Sequence, residues 1–308
     1  MSTLVIGGRG FIGRHVVRAL EAAGSRVVVY DRHADADAST HRIAQVRGDF
    51  ADVAGLERAI VEHRVAQVVH LVSTTLPQSS NEDMRFDYHS NVVQTLALLE
   101  LCVRHRVADI LFMSSGGTVY GQPRAPTMSE SHATDPTCAY GVAKLSIEKY
   151  LALYDHLHGL RHVILRAANP YGPGQLPSRG QGAIAHFVHQ ALGGRPIEVW
   201  GDGGIVRDYF HVEDLALLAT QALASSHRGV FNAGGGQGTT LNALIDLVAR
   251  ATGTAPDVVY KPGRRFDVPA VVLDCCKAER LLGWKARIGL SEGIARYVDW
   301  YRNTLASD

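Results

Sequence analysis

The sequence has few cysteines, no long apolar run and no excess of charge of either sign. Its four cysteines, Cys102, Cys138, Cys275 and Cys276, include no Cys-x-x-Cys pair, and the last two are adjacent. That arrangement does not build a disulfide framework and fits reduced thiols in a cytoplasmic protein. The longest apolar runs, such as Val27–Tyr30, are far too short for a bilayer. The opening residues enter a strand and a glycine loop directly, without a signal-peptide pattern. A net charge of +1 gives no electrostatic case for nucleic acid or a membrane surface. Fifteen histidines are many, yet none falls in His-Glu-x-x-His or a Cys/His ligand spacing, so no metal site is expected. What remains is the composition of a globular chain, 308 residues long, forming one large domain or two smaller ones.

Short β-rich runs alternate with helical stretches through the first two-thirds. Thr3–Ile6, Arg26–Tyr30, Val68–Leu71, Ile110–Met113 and His162–Leu165 read as strands. Between them, Phe11–Ala23, Val53–Arg64, Asn91–His105 and Ala139–His158 read as helices. This alternation predicts an α/β fold with a Rossmann-like, doubly wound parallel sheet. After about Asn169 glycine and proline become dense, and isolated strands (Ile197–Trp200, Val258–Tyr260) alternate with helices at Asp214–Ala224 and Leu241–Thr252. The expected organisation is a dinucleotide-binding domain over residues 1–168 and a smaller α/β substrate lobe over 169–308. Part of that lobe, about 205–235, returns to the main sheet through Val230–Asn232.

Gly7, Gly10 and Gly13 form Gly-x-x-Gly-x-x-Gly between the first strand and the first helix. Glycines so spaced permit a tight turn and close approach of backbone to a pyrophosphate at a helix N-terminus. Asp31 closes the second strand, where a carboxylate accepts from both ribose hydroxyls and repels a 2′-phosphate; it favours NAD over NADP, an argument weakened a little by Arg32. Asp49 and Phe50, after the third strand, either contact adenine or form a plain turn. Tyr140 and Lys144 are four residues apart in Tyr-Gly-Val-Ala-Lys. On a helix they share a face, and the ammonium is expected to lower the phenol pKa. Such a phenol exchanges a proton with a sugar hydroxyl, and a neighbouring dinucleotide accepts the hydride.

Three segments, Gly7–Gly13 (including Phe11 and Ile12), Tyr140–Lys144 and Arg207–Asp214, together resemble the extended short-chain dehydrogenase/reductases. Within them the chain looks most like the NAD-dependent UDP-sugar 4-epimerases, and Ala278–Trp284 extends the likeness towards the end of the chain. The resemblance implies that Tyr140 is the acid/base on the sugar 4-hydroxyl and that Lys144 holds the nicotinamide ribose. It places Asn91 near the active site and the substrate diphosphate on Asn169, Arg207 and Arg264. It puts Asp267 at the nucleotide ribose and implies a homodimer. The dimer interface in relatives pairs the helices around Asn91–His105 and Ala139–His158, where Leu96, Leu99, Leu145 and Leu153 are apolar.

Two departures stand out. The family places Ser or Thr four residues before the Tyr of Val-Tyr-Gly; here that Tyr is Tyr120 and the position is Gly116. The missing hydroxyl comes from Thr118, then Ser115, or from a water. The loop after the fourth strand, His70–Ser80, begins His-Leu-Val-Ser in place of the commoner His-Leu/Phe-Ala-Ala/Gly, and its hydroxyls are candidates for setting specificity. Related 4,6-dehydratases carry Thr-Asp-Glu before Val-Tyr-Gly, whereas this chain has Gly116-Gly117-Thr118 and no carboxylate for elimination. In resembling epimerases the residue four after the ribose-binding Asp gates N-acetylated sugars. Val271 stands there and is small enough for a 2-acetamido group. The expected reaction is NAD-dependent epimerisation at C4 of a UDP-hexose or UDP-N-acetylhexosamine. The alternatives are a nucleotide-sugar 4-ketoreductase and a non-catalytic NAD-binding regulatory relative.

Overall fold

Aliphatic and β-branched runs line up as one seven-stranded parallel sheet, as their alternation with helices predicts. The computed structural model describes residues 1–35, 39–177, 182–263 and 268–304. Strand β1 (Ser2–Ile6) pairs on one side with β2 (Arg26–Asp31), which pairs with β3 (Ile43–Arg47). On its other side come β4 (Val65–His70), β5 (Asp109–Ser115) and β6 (Arg161–Ala167). The sheet is buried on both faces, so its strands are apolar throughout rather than alternating. Successive residues serve opposite cores: Leu4 and Ile6 join one cluster and Val5 the other.

The cluster holding Leu4 is covered by α2 (Val53–Glu62), by α4 (Gln94–Arg104) through Leu98 and Leu99, and by α5 (Ala139–His158) through Ala143, Ile147 and Leu151. The opposite face is covered by α1 (Phe11–Ala22). Helical backbone before α4 starts earlier than the Asn91 expected from periodicity. A short helix, α3 (Met84–Tyr88), is capped by Asp83, whose carboxylate accepts from Phe86 N at 2.9 Å. It continues through a π-helical turn, His89–Val93, into α4. Exposed Met84, Phe86 and Tyr88 hide this start, because they give no inward-facing apolar stripe.

Beyond β6 the chain builds a second, smaller set of strands. These begin with β7 (Asn169–Tyr171), followed by α6 (Ala183–Leu192), β8 (Ile197–Trp200), β9 (Val206–His211) and α7 (Val212–Ala224). Strand β10 (Gly229–Ala233) then pairs parallel with β6 and forms the edge of the main sheet. The remaining elements are β11 (Gly238–Thr240), α8 (Leu241–Thr252), β12 (Val258–Lys261), β13 (Ala270–Val271), α9 (Cys276–Leu282) and α10 (Leu290–Thr304). Strand β9 pairs with β7, β11 and β13, while β12 pairs with β8. Trp284 explains the motif near the end of the chain. Its buried ring stands edge-on to Phe210 and its Nε1 donates to Asp214 O at 2.9 Å. Among the described residues no helix is long and apolar enough to cross a membrane, and all four cysteines are free.

Candidate active site

The glycine turn is shaped by close backbone contact. Gly7 has φ +84°, which glycine adopts without strain. Gly13 has no room for a side chain: a Cβ would lie 2.2 Å from Gly7 O and 2.7 Å from Gly8 Cα. Gly10 donates to Gly7 O at 3.1 Å and precedes α1 without any side-chain cap. First-turn N–H groups are thereby left for an anion, and the turn fits a pyrophosphate. Asp31 reaches the same turn, its carboxylate accepting from Arg9 N at 3.0 Å and His33 N at 2.9 Å. Following the turn, Phe11 stands edge-on to His15 and Ile12 packs on the core. Asp49 and Phe50 lie in a turn after β3. Asp49 accepts from Ala51 N at 2.9 Å, and Phe50 is buried with its ring 4.8 Å from that of His70.

Helix α5 begins at Ala139 because the loop after β4 caps it. Asn81 Oδ1 accepts from Ala139 N at 2.9 Å and Ser80 Oγ from Tyr140 N at 3.1 Å. Gly141 lets the helix press on the Val-Tyr-Gly segment, since a Cβ there would lie 2.8 Å from Thr118 O. One turn on, buried Lys144 donates to Met113 O at 2.9 Å, and its Nζ lies 5.5 Å from the Tyr140 ring centroid. The pair shares a face, as its spacing requires, but its electrostatics correct the expectation of a depressed phenol pKa. Burial pushes the Tyr140 phenol up to about 12 and the Lys144 ammonium down to about 8. Desolvation disfavours the charged form of each group.

Asn91 lies in the π turn, a distortion that often marks functional sites. Its Oδ1 accepts from Thr74 N at 3.0 Å, and its Nδ2 donates to Thr74 Oγ1 and to Asp87 O, each at 2.9 Å. Thr95 Oγ1 donates to Asn91 O at 2.6 Å and also meets His70 Nε2 at 3.0 Å. Asp87 is buried beside it and accepts from Thr75 Oγ1. Its carboxylate raises the pKa of both Lys144 and Tyr140.

A cavity of about 540 Å³ is lined by Gln78, Asn169, Trp200, Arg207 and Tyr209, among others. Gln78 comes from the same loop whose Ser80 and Asn81 cap α5. Asn169 Nδ2 donates to Asp208 O at 2.9 Å. Arg207 Nη1 donates to Val206 O at 2.9 Å and Val268 O at 2.8 Å. Buried Asp208 holds this region together, accepting from Gly235 N at 2.7 Å and from Gly236 N and Leu273 N at 3.2 Å. Val271 is opposite Arg207 across the β13–β9 pairing and packs with Val119, Tyr120 and Leu273. Arg264 and Asp267 lie outside the described residues.

Comparison with known proteins agrees with this geometry. The sequence profile described as the NAD dependent epimerase/dehydratase family matches residues 3–234. A protein of Methanocaldococcus jannaschii named putative UDP-glucose 4-epimerase is 34% identical over 97% of this chain and 98% of its own length. The structure of UDP-glucose 4-epimerase with UDP-glucose from Thermotoga maritima superposes with a TM-score of 0.94 at 35% identity, covering 99% of this chain and all (100%) of that one. The Thermus thermophilus UDP-glucose 4-epimerase complexed with NAD gives 0.91 at 36% identity, covering 99% of this chain and 100% of its own. This chain belongs to the NAD-dependent epimerase/dehydratase family.

For a member of the epimerase family, the wall formed by the Val-Tyr-Gly segment is unusual. Ser115 ends β5, and Thr118 Oγ1 is buried without a hydrogen-bond partner. Among the described residues neither hydroxyl bonds to Tyr140, and Ser73, whose hydroxyl donates to Thr75 O at 3.2 Å, offsets only a little of the burial that raises the phenol pKa. Tyr120 is anchored instead, donating to Asn232 Oδ1 at 2.6 Å beneath the Arg166 guanidinium, 4.7 Å from its ring. Arg166 in turn pairs with Glu148 at 2.6 Å, and Ser114 Oγ donates to the same carboxylate at 2.5 Å. Glu148 follows Lys144 by one helical turn, so this buried pair ties the Lys144 helix to β6. Sequence reasoning overlooked Asp87 altogether. Asp87 carried a readable signal, standing one helical turn before Asn91.

Proposed function

We propose that this protein interconverts nucleoside-diphosphate sugars that differ in configuration at C4. One observation carries the reading. Tyr140 and Lys144 stand on one face of α5, against a loop that also abuts the glycine turn, where a Cβ on Gly7 would lie 3.1 Å from Val72 Cγ2. Gly7, Gly10, Gly13 and Asp31 would hold NAD, which would supply the acceptor and donor for the C4 hydride. Tyr140 is placed to exchange a proton with the sugar 4-hydroxyl as the 4-keto sugar forms and is reduced again, its phenolate form being the base and the neutral phenol that burial favours being the acid. Lys144 holds positive charge beside the phenol, and Asn91 keeps the adjoining loop in place. Asn169 and Arg207, with Arg264, hold the diphosphate so that the sugar turns without leaving. Gly116, Gly117 and Thr118 offer no acid or base for elimination, which separates this site from dehydratases of the family.

The substrate is a UDP-hexose or a UDP-N-acetylhexosamine; Val271, expected to gate the latter, is buried with Val119, Tyr120 and Leu273. The protein works in the reducing cytoplasm, where its four free thiols persist. The test is to incubate the purified protein with UDP-glucose or UDP-N-acetylglucosamine, without added cofactor, and follow the sugar by proton NMR. The C4 epimer appears. A strict requirement for added NADPH overturns the reading in favour of a 4-ketoreductase.

A homodimer fits an apolar face of α3 and α5. Met84, Phe86 and Tyr88 on the first, and Val142, Leu153 and Leu157 on the second, are exposed. Of the leucines expected there from sequence, Leu153 is on this face, whereas Leu99 is fully buried in the core. Phe86→Glu combined with Leu157→Glu is expected to convert the dimer to a monomer. Light scattering after size exclusion reads the mass, and an unchanged mass rejects this interface.

A further inference from the structure

Asp87 is a buried carboxylate whose hydrogen bonds come from uncharged groups. It is 1% exposed; Thr75 Oγ1 donates to its Oδ1, and Asn91 Nδ2 does so at 3.2 Å. Burying a charge on such partners is costly. What a carboxylate adds is strength, since a hydrogen bond to a charged acceptor is roughly twice as strong as one between neutral groups. The stronger grip falls on the loop after β4. That loop touches three parts of the site. Val72 abuts the glycine turn at Gly7, Gln78 lines the cavity beside Asn169 and Arg207, and Ser80 and Asn81 cap α5 at Tyr140 and Ala139.

We infer that Asp87 is a positioning residue for Tyr140, its carboxylate anchoring, through Thr75, the loop on which the first turn of α5 is built. The path from one to the other is continuous. Thr75 spends its one hydroxyl proton on Asp87. The next residue, Leu76, turns the loop, its carbonyl accepting from Ser79 N at 3.1 Å and from Ser80 N at 2.9 Å. Buried Ser80 then donates to Pro77 O at 3.3 Å and accepts from Tyr140 N at 3.1 Å. Asn91 does not replace this anchor. It fixes Thr74, one residue earlier, through Thr74 N at 3.0 Å and Thr74 Oγ1 at 2.9 Å, and its Nδ2 approaches Thr75 Oγ1 at 3.4 Å. At Thr75 it offers a donor, whereas the Thr75 proton needs an acceptor. Asp87 stands on α3 and Tyr140 on α5, and the loop ties the two helices together. The role in turnover rests on the epimerase reading; the anchoring does not.

The test uses full-length protein and amide hydrogen exchange read by mass spectrometry. Thr75→Val keeps the shape of the side chain and removes the proton given to Asp87. Exchange at Ala139 and Tyr140, whose N–H groups the loop caps, speeds up about tenfold to hundredfold, the range set by loss of a hydrogen bond to a charged group. Exchange in the middle of α5, at residues 147–151, is unchanged. Thr75→Ser restores the wild-type rate, and Asp87→Asn, which still accepts but without charge, gives a smaller increase. In turnover, Thr75→Val lowers kcat about tenfold through misplacement of Tyr140. KM for the UDP-sugar stays within about twofold, because the diphosphate is held from β7 and β9. Equal acceleration along the whole of α5 marks a general loss of stability and overturns the inference. Unaltered exchange at Ala139 and Tyr140 overturns it too, as does a Thr75→Val kcat within about twofold of an active wild type. Exchange needs no turnover, so failure of the wild type to epimerise any UDP-sugar rejects the proposed reaction and leaves the anchoring to stand or fall separately.

Discussion

Replacing Tyr140 by Phe lowers epimerase turnover by roughly a thousandfold, within the span typical for removal of a positioned acid/base. The ring, its place 5.5 Å from the Lys144 ammonium and the cap on its backbone N–H are all preserved. Only the phenol oxygen goes. Cofactor binding through the glycine turn and Asp31 does not involve that oxygen, so the variant still purifies with bound NAD, measured by release on denaturation and chromatography. Loss of turnover with full NAD content places Tyr140 in proton transfer. Retention of more than about a tenth of wild-type turnover, far above what loss of an acid/base allows, removes it from the mechanism.

Arg166→Met destabilises the fold by about 3–5 kcal/mol, the cost of stranding a buried charge. The Glu148 and Arg166 side chains are only 3% and 5% exposed and meet at 2.6 Å. Removing the guanidinium leaves a carboxylate in a dry site with Ser114 as its remaining donor. Much of the loss is recovered when Glu148→Leu is added, because no uncompensated charge then remains. Urea unfolding of the single and double variants reads both effects. A loss below about 1 kcal/mol, the level of a surface pair, shows the pair to be better solvated than its burial indicates. The result bears on catalysis because Glu148 also raises the pKa of Lys144. Without that carboxylate the ammonium is harder to keep protonated.

The sheet and the Tyr140–Lys144 pair were legible because both are encoded in local spacing. Apolar runs of strand length and a four-residue helical interval survive whatever the rest of the chain does. The same holds for the glycine turn, whose Gly13 contacts residues only a few positions away. Burial is not written in spacing, and this accounts for the failures. The ammonium at position 144 was expected to depress the phenol, yet desolvation dominates once both groups are enclosed. Leu99 looked as available for a subunit interface as Leu153 until α4 was seen to turn it inward. The burial of Phe50 beside the His70 ring is likewise a tertiary outcome. The π turn around Asn91 left no trace in periodicity, since one extra residue in a helix merely resets the pattern.

Strand β10 has a consequence for anyone wishing to borrow half of this protein. It is supplied late in the chain yet seals the outer rim of β6 along five paired positions, Gly229–Ala233 against Val163–Ala167. A fragment ending after β6 would bare a row of unsatisfied amides and carbonyls, an adhesive edge prone to self-association. Chimeras that exchange sugar selectivity must therefore graft around this strand rather than cut at the apparent midpoint.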